Sequence, residues 1–519
     1  MSVGTTSPPA EGAAPSERPA AATRTFGSAL GLTVVGAFLP GTALLAAGRR
    51  RIGALVLAVF LALAAGALWL ATAGRMTAIR AALHPGQLLW VVVGIAVLAL
   101  LWVVVIVAGY RLLVPPRTGR GQHVLGGLVV LVLVAAVAVP AVGAGRLALV
   151  QRGLISGIFT GGRSATVVDK PNPFGGKERV NVLLLGGDGG KGREGVRTDT
   201  VIVASVDTHT GNTTLISLPR NLENLPFPPG SALAAAYPDG FQAGSESESL
   251  LNAVYRNGPA QHPGILGPTD YPGADMLKLG VGQATGLTID YFVLINLDGF
   301  SRLVDALGGI TVNVNYYVPI GGEPTLHILP DAYIAPGPNQ HMNGARALDF
   351  TRGRFGLTDY LRMARQRCVI QAIVKAADPV TLLRKYQALA NSTKDIVSTD
   401  IPQSALDSFV SVALRVKNAQ IRSLVFDASV INPAYPDYNR IRALVAEAVA
   451  SSSGSAPTTA APATTGSASP SSAAGTTTGA VPTTGSVANP VTNLDDACVY
   501  DPVQAAKAIA AGEPPTRRR

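Results

Sequence analysis

The chain has 519 residues, which is room for a membrane region plus one or two globular domains. Its formal net charge is +10, but the first 149 residues hold eleven Arg and only two acids, so the rest of the chain is nearly balanced at +1. No basic face is therefore indicated on the folded part, and this argues against nucleic acid as a partner. The two cysteines exclude a disulfide-rich scaffold and a multi-cysteine metal site.

The N-terminal part of the sequence predicts a membrane region. Residues 1–25 are rich in Pro, Ala, Ser and Glu, a composition that predicts disorder. Pro40 interrupts the first of the apolar stretches that follow, so this stretch is either a complete span or half of a re-entrant hairpin. We predict an all-α transmembrane region over 26–149. Four apolar stretches, each near the ~20 residues that cross a bilayer core, lie at about 29–48, 52–73, 88–109 and 124–144.

The distribution of arginine between these stretches predicts their orientation. Arg is concentrated in the first and third connecting loops, at Arg49–Arg51 and Arg111–Arg120, whereas the second loop has only Arg75 and Arg80. The positive-inside rule places both Arg-rich loops in the cytoplasm. With four spans, both termini and everything after about residue 145 then lie outside the cytoplasm.

From about 178 to 430 the pattern predicts a mixed α/β domain, a mixed sheet with flanking helices. Short β-branched runs predict strands at Val180–Leu185, Thr200–Val206, Thr213–Leu218, Tyr291–Ile295 and Ile310–Val314. Helices are predicted at Ser245–Arg256, opened by a Ser245…Glu248 capping box, and at Ser301–Leu307, Asn343–Phe350, Asp359–Ala377 and about 379–391. The uncharged Ser/Thr/Ala/Pro/Gly segment 451–490 predicts a flexible linker before a short tail, 491–519.

A glycine-rich segment, Gly186–Gly192, follows the first predicted strand. Its spacing matches a dinucleotide fingerprint, but only seven residues separate it from the next strand, too few for the crossover helix of a βαβ unit. Lys191 is followed by Gly instead of Ser or Thr, so a Walker A motif is not formed either. A plain glycine turn remains the preferred interpretation.

Two acids flank this turn. Asp188 ends one predicted strand, and Asp199 begins the next, beside Arg197. Adjacent antiparallel strand ends would bring the two carboxylates together, where they would repel each other unless they shared a hard cation. Mg²⁺ suits such a pair, with phosphate oxygens and water completing its octahedron. The alternative is a pair of solvated loop acids.

A second candidate site is a concentration of arginine. Arginine binds phosphate through two parallel hydrogen bonds and stays charged when partly buried. Asp359 precedes Arg362 by three residues, on the same helix face. Arg220 adds a guanidinium just past a strand end, and a solvated basic helix face is the alternative interpretation. Residues 346–367 include two acids and no Lys. They contain six Arg: Arg346, Arg352, Arg354, Arg362, Arg365 and Arg367.

Seven segments, in order over about 180–370, resemble the LytR-CpsA-Psr family of cell-wall ligases. Each is short, and their shared order makes the resemblance specific. They are Val182–Asp188, Arg197–Thr200, Ser217–Arg220, Asn252–Tyr255, Thr285–Val293, Asp305–Ile310, and Asn343–Leu348 running into Arg352–Arg354 and Asp359–Gln366.

The resemblance implies an extracytoplasmic catalytic domain over 150–450. The four predicted spans, which make this a multi-pass cell-membrane protein, differ from the family's usual single anchor and are similar to some actinobacterial members. Such a protein would transfer a glycopolymer, a teichoic acid or arabinogalactan, from a polyprenyl-pyrophosphate carrier in the membrane lipid to peptidoglycan. Asp188 and Asp199 would hold Mg²⁺, and Arg197 would assist them in catalysis. The pyrophosphate would be bound by Arg197, Arg220, Arg352, Arg354, Arg362 and Arg365.

Two other functions stay open at this point: a pyrophosphatase that uses water as acceptor, and a non-catalytic envelope sensor or scaffold. The sequence also departs from the family pattern at Asn221, at Asn296-Leu297 and at Arg367, where Asp, Asp-Phe and Gln are usual. We expect these departures to tune activity and not to abolish it.

The two cysteines predict a disulfide. An exported domain lies in an oxidising compartment, so Cys368 and Cys498 are expected to pair and to fix the tail across the linker onto a domain helix. The alternative is two independent thiols.

Overall fold

The computed structural model describes residues 25–116, 118–159, 162–167, 173–174, 176–189, 196–377, 397–452 and 490–517. The chain divides into two compact units. One extends to Leu149, and the other begins at Val150 and includes Leu83–Pro85. Each unit is described by itself below.

Within the part of the first unit that the structure describes, three helices are long and apolar enough to cross a membrane: α3 (Arg50–Ala71), α5 (Pro85–Leu113) and α6 (Arg120–Ile158). Two shorter helices precede α3, α1 (Phe26–Phe38) and α2 (Thr42–Ala46), and α4 (Arg75–Leu83) lies between α3 and α5.

The first apolar stretch, predicted as either a complete span or half of a re-entrant hairpin, forms two short helices that are separated at Pro40. Helix α1 ends before Pro40, because the residue preceding a proline disfavours helical geometry. Gly41 then turns the chain at φ 103°, and a Cβ there would lie 2.4 Å from the carbonyl oxygen of Gly53 in α3. This close approach requires glycine and starts α2 in a new direction.

The described residues of the second unit form eleven strands. Seven of them form one sheet, in the order β11-β10-β3-β2-β1-β4-β9, and β5 pairs with β8 and β6 with β7 in two separate ribbons. Within the large sheet β1 and β4 are parallel, as are β3 and β10, and the remaining pairs are antiparallel. The strands are β1 Arg179–Gly187, β2 Thr198–Asp207, β3 Thr213–Leu218, β4 Tyr291–Asn296, β5 Ile310–Val314, β6 Val318–Ile320, β7 Ala332–Ile334, β8 Gly337–Met342, β9 Val397–Thr399, β10 Ile421–Val425 and β11 Val491–Asn493.

Helices cover both faces of this sheet. They are α7 Ala232–Ala236, α8 Leu251–Gln261, α9 Pro272–Thr285, α10 Leu297–Leu307, α11 Gly344–Arg352, α12 Asp359–Ala376, α13 Leu406–Val416, α14 Tyr438–Ser452, α15 Leu494–Ala497 and α16 Pro502–Ala511. The predicted fold class, a mixed sheet with flanking helices after an apolar helical region, is confirmed.

Side chains alternate between the two faces of a strand, so each face of the sheet packs against a different set of helices. On one face Leu183, Val203, Ile216 and Phe292 are buried in a core shared with α8, α9 and α14. The residues between them on the strands point to the opposite face, towards α10, α11 and α12. Those three helices also pack on the small β5–β8 ribbon in a second core.

One predicted helix start is wrong. Ser245 makes no side-chain cap, Glu246–Glu248 form only a 3₁₀ turn, and α8 begins at Leu251. Glu248 does not close a capping box, because its carboxylate pairs with Arg197 and Arg256. The helix predicted at about 379–391 lies outside the described residues, as do 1–24 and most of the predicted linker.

The C-terminal segment is more than a short tail, because it completes the sheet. Strand β11 pairs with β10, and Leu494 just after it is fully buried. Cys498 forms a disulfide with Cys368 of α12 over a sequence separation of 130 residues. Asp495 also accepts hydrogen bonds from Gln371 at 2.6 Å and Lys375 at 2.7 Å.

We expect this cross-link to stabilise the domain. Replacing Cys368 and Cys498 together by Ser should lower the free energy of unfolding by about 2–5 kcal/mol, because the unfolded chain loses a restraint over a long loop. Chemical denaturation of the detergent-solubilised protein measures this difference. The reduced wild type should match the double variant, and thiol titration of denatured, unreduced protein should find no free cysteine. Two free thiols would contradict the pairing.

Candidate active site

A cavity of about 260 Å³ lies between the sheet and helices α10, α11 and α12. Its interior is apolar, and its polar residues gather at one edge of the sheet. The apolar walls come from the strands at Leu184, Ile202, Val293 and Ile295, and from the helices at Phe300, Leu303, Val369, Ile370 and Ile373. The charged residues that line it are Asp188, Asp199, Arg352, Arg354 and Arg362.

Sheet topology brings the charged residues together. Strands β1 and β3 run the same way, so both end at this edge, and β2 runs the opposite way and begins there. Asp188 therefore follows the end of β1, Asp199 lies at the start of β2, and Arg220 follows the end of β3. In open α/β sheets such an edge, at the carboxyl ends of parallel strands, is where ligands bind.

Four charged side chains form one network across this edge. Arg220 Nη1 donates to Asp199 Oδ1 at 2.9 Å, and its Nε lies 3.4 Å from Asp359 Oδ1. Arg362 Nη2 donates to Asp359 Oδ2 at 3.0 Å and to the Asp199 carbonyl oxygen at 3.2 Å. Asn252 Nδ2 adds a hydrogen bond of 3.3 Å to Asp199 Oδ1. The network ties α12 to the ends of β2 and β3.

The network fixes the charge of its members. Burial opposes ionisation of Asp199, but the charges of Arg220 and Arg362 and the hydrogen bond from Asn252 outweigh it, so the pKa of Asp199 lies below its usual value. Burial likewise opposes the charge on Arg220, and the carboxylates of Asp199 and Asp359 overcome this and raise the pKa of that guanidinium. The site therefore presents an ionised carboxylate beside charged arginine at neutral pH.

Asp188 is held by the neighbouring strand. Gly187 pairs with Thr198 beyond a register shift in β1, and Asp188 Oδ1 then accepts a hydrogen bond of 2.8 Å from the backbone N–H of Arg197. The guanidinium of Arg197 pairs with Glu248, which also pairs with Arg256. Arg197 thus positions Asp188 through its backbone, and its side chain is not among those that line the cavity.

Arg365 was predicted to bind pyrophosphate, and the structure places it elsewhere. Its side chain is buried, with 4% of the residue exposed, and it does not line the cavity. It donates to the carbonyl oxygens of Phe350 and Gly353 and to Tyr316 Oη. Arg365 therefore joins α12 to the end of α11, because a buried guanidinium needs acceptors and these carbonyls supply them.

Two of the three departures from the family pattern have a local side-chain partner. Asn296 caps α10, its Oδ1 accepting a hydrogen bond of 2.8 Å from Gly299 N–H. Arg367 is buried, donates to Ser423 Oγ at 2.5 Å, and has its pKa lowered by burial to about 10. Asn221 is exposed and lies next to Arg220, whose partners are Asp199 and Asp359.

Sequence reasoning missed three parts of this site. The apolar wall was hidden because its strand residues alternate with core residues of the opposite face. Asn252 was quoted only as part of a motif, and Glu248 was assigned to a helix cap. The available signal for the wall was the near-continuous apolar run along β1, β2 and β4, since strands that are buried on both faces lack a polar face.

We expect the removal of the Arg365 side chain to lower the free energy of unfolding more than the removal of the Arg354 side chain. Arg365→Ala should lower the free energy of unfolding by about 2–4 kcal/mol, because it leaves buried acceptors without donors. Arg354→Ala, at the half-buried cavity edge, should change it by less than ~1 kcal/mol. Chemical denaturation of the two variants side by side measures this contrast. Equal stabilities would contradict the structural role of Arg365.

Comparison with known proteins identifies the family. The model of the LytR_cpsA_psr family matches residues 161–445. An Enterococcus faecalis protein named polyisoprenyl-teichoic acid–peptidoglycan teichoic acid transferase TagU is 30% identical, over 47% of this chain and 67% of its own length. The biofilm regulatory protein A of Streptococcus mutans is 28% identical, over 47% of this chain and 54% of its own length.

Solved structures are also similar to part of the chain. A crystal structure of a Streptococcus agalactiae protein is 26% identical, covers 48% of this chain and 77% of that chain, and has a TM-score of 0.37. The family assignment rests on the sequence match, which extends from residue 161 to residue 445. Because that match covers more than half of the chain, the protein belongs to the LytR_cpsA_psr family.

Proposed function

We propose that the protein is a membrane-anchored phosphotransferase that moves a glycopolymer from a polyprenyl-pyrophosphate carrier to peptidoglycan. One observation carries the proposal: a single cavity joins an apolar interior to an edge lined by arginine and aspartate. That arrangement suits a ligand with a long apolar chain and a charged phosphate head. Relatives named as teichoic acid–peptidoglycan transferases support the same reaction class.

The donor lies in the cavity with its two parts in different surroundings. Its isoprenoid chain packs between the sheet and helices α10 and α12, where the lining residues are Leu, Ile, Val and Phe. Its pyrophosphate lies at the sheet edge, near Arg352, Arg354 and Arg362. Guanidinium groups suit this task, because their planar forks match phosphate oxygens and keep their charge when partly buried.

The donor set at this edge fits Mg²⁺ when the substrate is present. Among the described residues, no group of three or more His, Cys, Asp or Glu side chains could hold a metal ion alone. Mg²⁺ is usually bound by one or two carboxylates together with substrate phosphates and water, and Asp188 and Asp199 supply two carboxylates on one cavity. Bound there, the ion would neutralise developing phosphate charge.

In the transfer, an acceptor hydroxyl of peptidoglycan gives its proton to water and forms a bond to the glycan-side phosphorus. The bond from that phosphorus to the polyprenyl phosphate oxygen breaks, and polyprenyl phosphate leaves. Arg352, Arg354 and Arg362 stabilise the negative charge that grows on the leaving phosphate. Arg220 and Asn252 hold Asp199 in place throughout.

The membrane part supports an extracytoplasmic site for this reaction. From α3 onward the chain contains three candidate spans, and the loops with Arg49–Arg51 and Arg111–Arg120 fall on one side of them. The domain that follows α6 lies on the opposite side, whether or not the broken first stretch crosses. The positive-inside rule assigns the Arg-rich side to the cytoplasm, so the domain lies outside, with peptidoglycan.

We expect cysteine labelling to report this orientation. In a variant with Cys368 and Cys498 replaced by Ser, a single cysteine placed in 74–87 should react with a membrane-impermeant reagent in intact cells. A cysteine placed beside Arg50 should react only after permeabilisation. The reverse pattern would contradict the extracytoplasmic assignment.

We expect the two carboxylates to govern metal-dependent turnover. Asp188→Ala or Asp199→Ala should reduce Mg²⁺-stimulated transfer by about 100-fold or more, as for other loss of charge stabilisation at a reaction centre. Asp298→Ala, on the exposed face of α10, is a matched control that should keep wild-type transfer. Full activity of both site variants would contradict the assignment.

We expect a labelled polyprenyl-pyrophosphate glycan to distinguish the functional classes. With peptidoglycan present, the label should become covalently attached to it, and polyprenyl phosphate should be released. Arg354→Ala should weaken donor binding by about tenfold or more, because a hydrogen bond to a charged group is worth about 1.5–3 kcal/mol. Arg354→Lys should recover only part of this loss.

Release of glycan phosphate to water alone would favour a pyrophosphatase. Tight donor binding with no product of either kind would favour a sensor or scaffold. Either result would contradict the proposed transfer.

A further inference from the structure

A second concave surface lies along the same edge of the sheet, outside the cavity described above. It consists of two depressions, of about 530 and 450 Å³, on either side of the turn Tyr237–Gly240. We name the two together the aromatic groove. Its first part is lined by Phe227, Tyr237, Tyr435 and Tyr438, with Asn224 and Asp239 beside them.

Topology places the aromatic groove next to the candidate active site. Strands β3 and β10 are parallel, so the loops that follow them leave the sheet at the edge where Arg220 lies. Asn224 belongs to the first of these loops and Tyr435 to the second. Only three residues lie between Arg220 and Asn224, so their Cα atoms are at most ~14 Å apart even in an extended chain.

The two loops are fixed to each other. Glu223 N–H donates to the Pro433 carbonyl oxygen at 3.0 Å, and Tyr438 Oη donates to the Glu223 carbonyl oxygen at 2.6 Å. Asn224 has a positive φ of 51°. Gly240 packs so closely on it that a Cβ would lie 2.3 Å from the Asn224 carbonyl oxygen. The groove is therefore preformed by backbone contacts.

Tyr435 is displayed from this fixed loop with most of its surface in solvent. Its exposure is 83%, whereas the neighbouring Tyr237 is buried. Its backbone N–H is bonded to the Asn432 carbonyl oxygen at 3.2 Å, so the segment that carries the ring is turned and anchored. The ring of Tyr435 offers an apolar face, and Asn224 and Asp239 beside it offer hydrogen-bond partners. A polar ligand that also has an apolar face requires both.

The charge of the groove selects among such ligands. Among the described residues that line either of the two depressions, Asp239 is the only Asp, Glu, Lys or Arg residue. A phosphate-rich polymer would meet one negative charge and no cation there, so the groove favours an uncharged sugar chain. Sugars offer flat C–H faces to aromatic rings and hydroxyl or acetamido groups to Asn224 and Asp239.

We infer that the aromatic groove binds the sugar strand of the peptidoglycan acceptor, a chain of β-1,4-linked N-acetylated hexosamines. This inference rests on the proposed transferase function. The donor cavity lies on the sheet face covered by α10–α12, whereas Phe227 and Tyr237 belong to the core of the opposite face. The donor therefore approaches Arg220 from one face of the sheet and the acceptor from the other. The acceptor hydroxyl reaches the glycan-side phosphorus where the cavity and the aromatic groove meet.

Binding of an N-acetylglucosamine tetramer to the full-length protein in nanodiscs tests this directly. We expect Tyr435→Ala to weaken tetramer binding and to raise the KM for peptidoglycan by about tenfold, the equivalent of ~1.4 kcal/mol for one lost hot-spot contact. The kcat and the donor Kd should not change. Tyr435→Phe should retain binding, since it keeps the ring. Val503→Ala, equally exposed on α16, is the control and should match the wild type.

Wild-type tetramer binding and KM in Tyr435→Ala would overturn the inference. Loss of donor affinity without loss of tetramer binding would also overturn it, because the groove would then hold the glycan of the donor. If the wild type transfers nothing to peptidoglycan but Tyr435→Ala still loses the tetramer, the proposed transfer fails while the groove remains a sugar site.

Discussion

The ion-pair network of Asp199, Arg220, Asp359 and Arg362 is the constraint on which the candidate site depends. It joins three parts of the chain that are distant in sequence: the start of β2, the loop after β3 and the first turn of α12. It pairs the buried charge of Arg362, of which 5% is exposed, with the carboxylate of Asp359. A buried charge is tolerated only when it is paired. The ion-pair network and the position of α12 therefore depend on each other.

The network also sets the position of the cavity wall. Arg362 begins the face of α12 that continues through Gln366, Val369 and Ile373, spaced at three or four residues along the cavity. Arg365 anchors another side of the same helix to the carbonyls of Phe350 and Gly353. The disulfide at Cys368 attaches this helix to the C-terminal segment as well. One helix thus carries both a charged residue and apolar residues of the cavity lining, and three sets of contacts fix it.

Much of this arrangement could be predicted from sequence, for physical reasons. Strand runs such as Thr213–Leu218 are β-branched and bounded by turn residues, and β3 has those bounds. Asp188 and Asp199 could be placed together because adjacent antiparallel strand ends are neighbours. Arg365 could not be placed, because helical spacing alone puts it near Arg362. Its direction is set by acceptors on Phe350, Gly353 and Tyr316, which lie 12 to 49 residues away.

The other differences between the predicted and the observed structure also arise from contacts outside the local segment of sequence. Glu248 had the spacing of a capping box, and the charges of Arg197 and Arg256 provide a stronger partner than a backbone N–H. Strand β11 has only three residues after a long low-complexity segment, too few for a pattern, and it exists because β10 offers an unpaired edge. Pro40 was a local signal, and its consequence for the first apolar stretch could be anticipated as an alternative.

The central claim is that one cavity holds both the lipid and the phosphate part of the donor, and photocrosslinking tests it most directly. A polyprenyl-pyrophosphate glycan with a photoreactive group in its isoprenoid chain would be bound to the full-length protein, irradiated and mapped by peptide mass spectrometry. We expect labelled residues on the cavity faces of α10 and α12, such as Leu303 and Ile373. We also expect excess unlabelled polyprenyl pyrophosphate to abolish the labelling. Labelling confined to α3, α5 or α6, with none on α10 or α12, would contradict donor binding in this cavity.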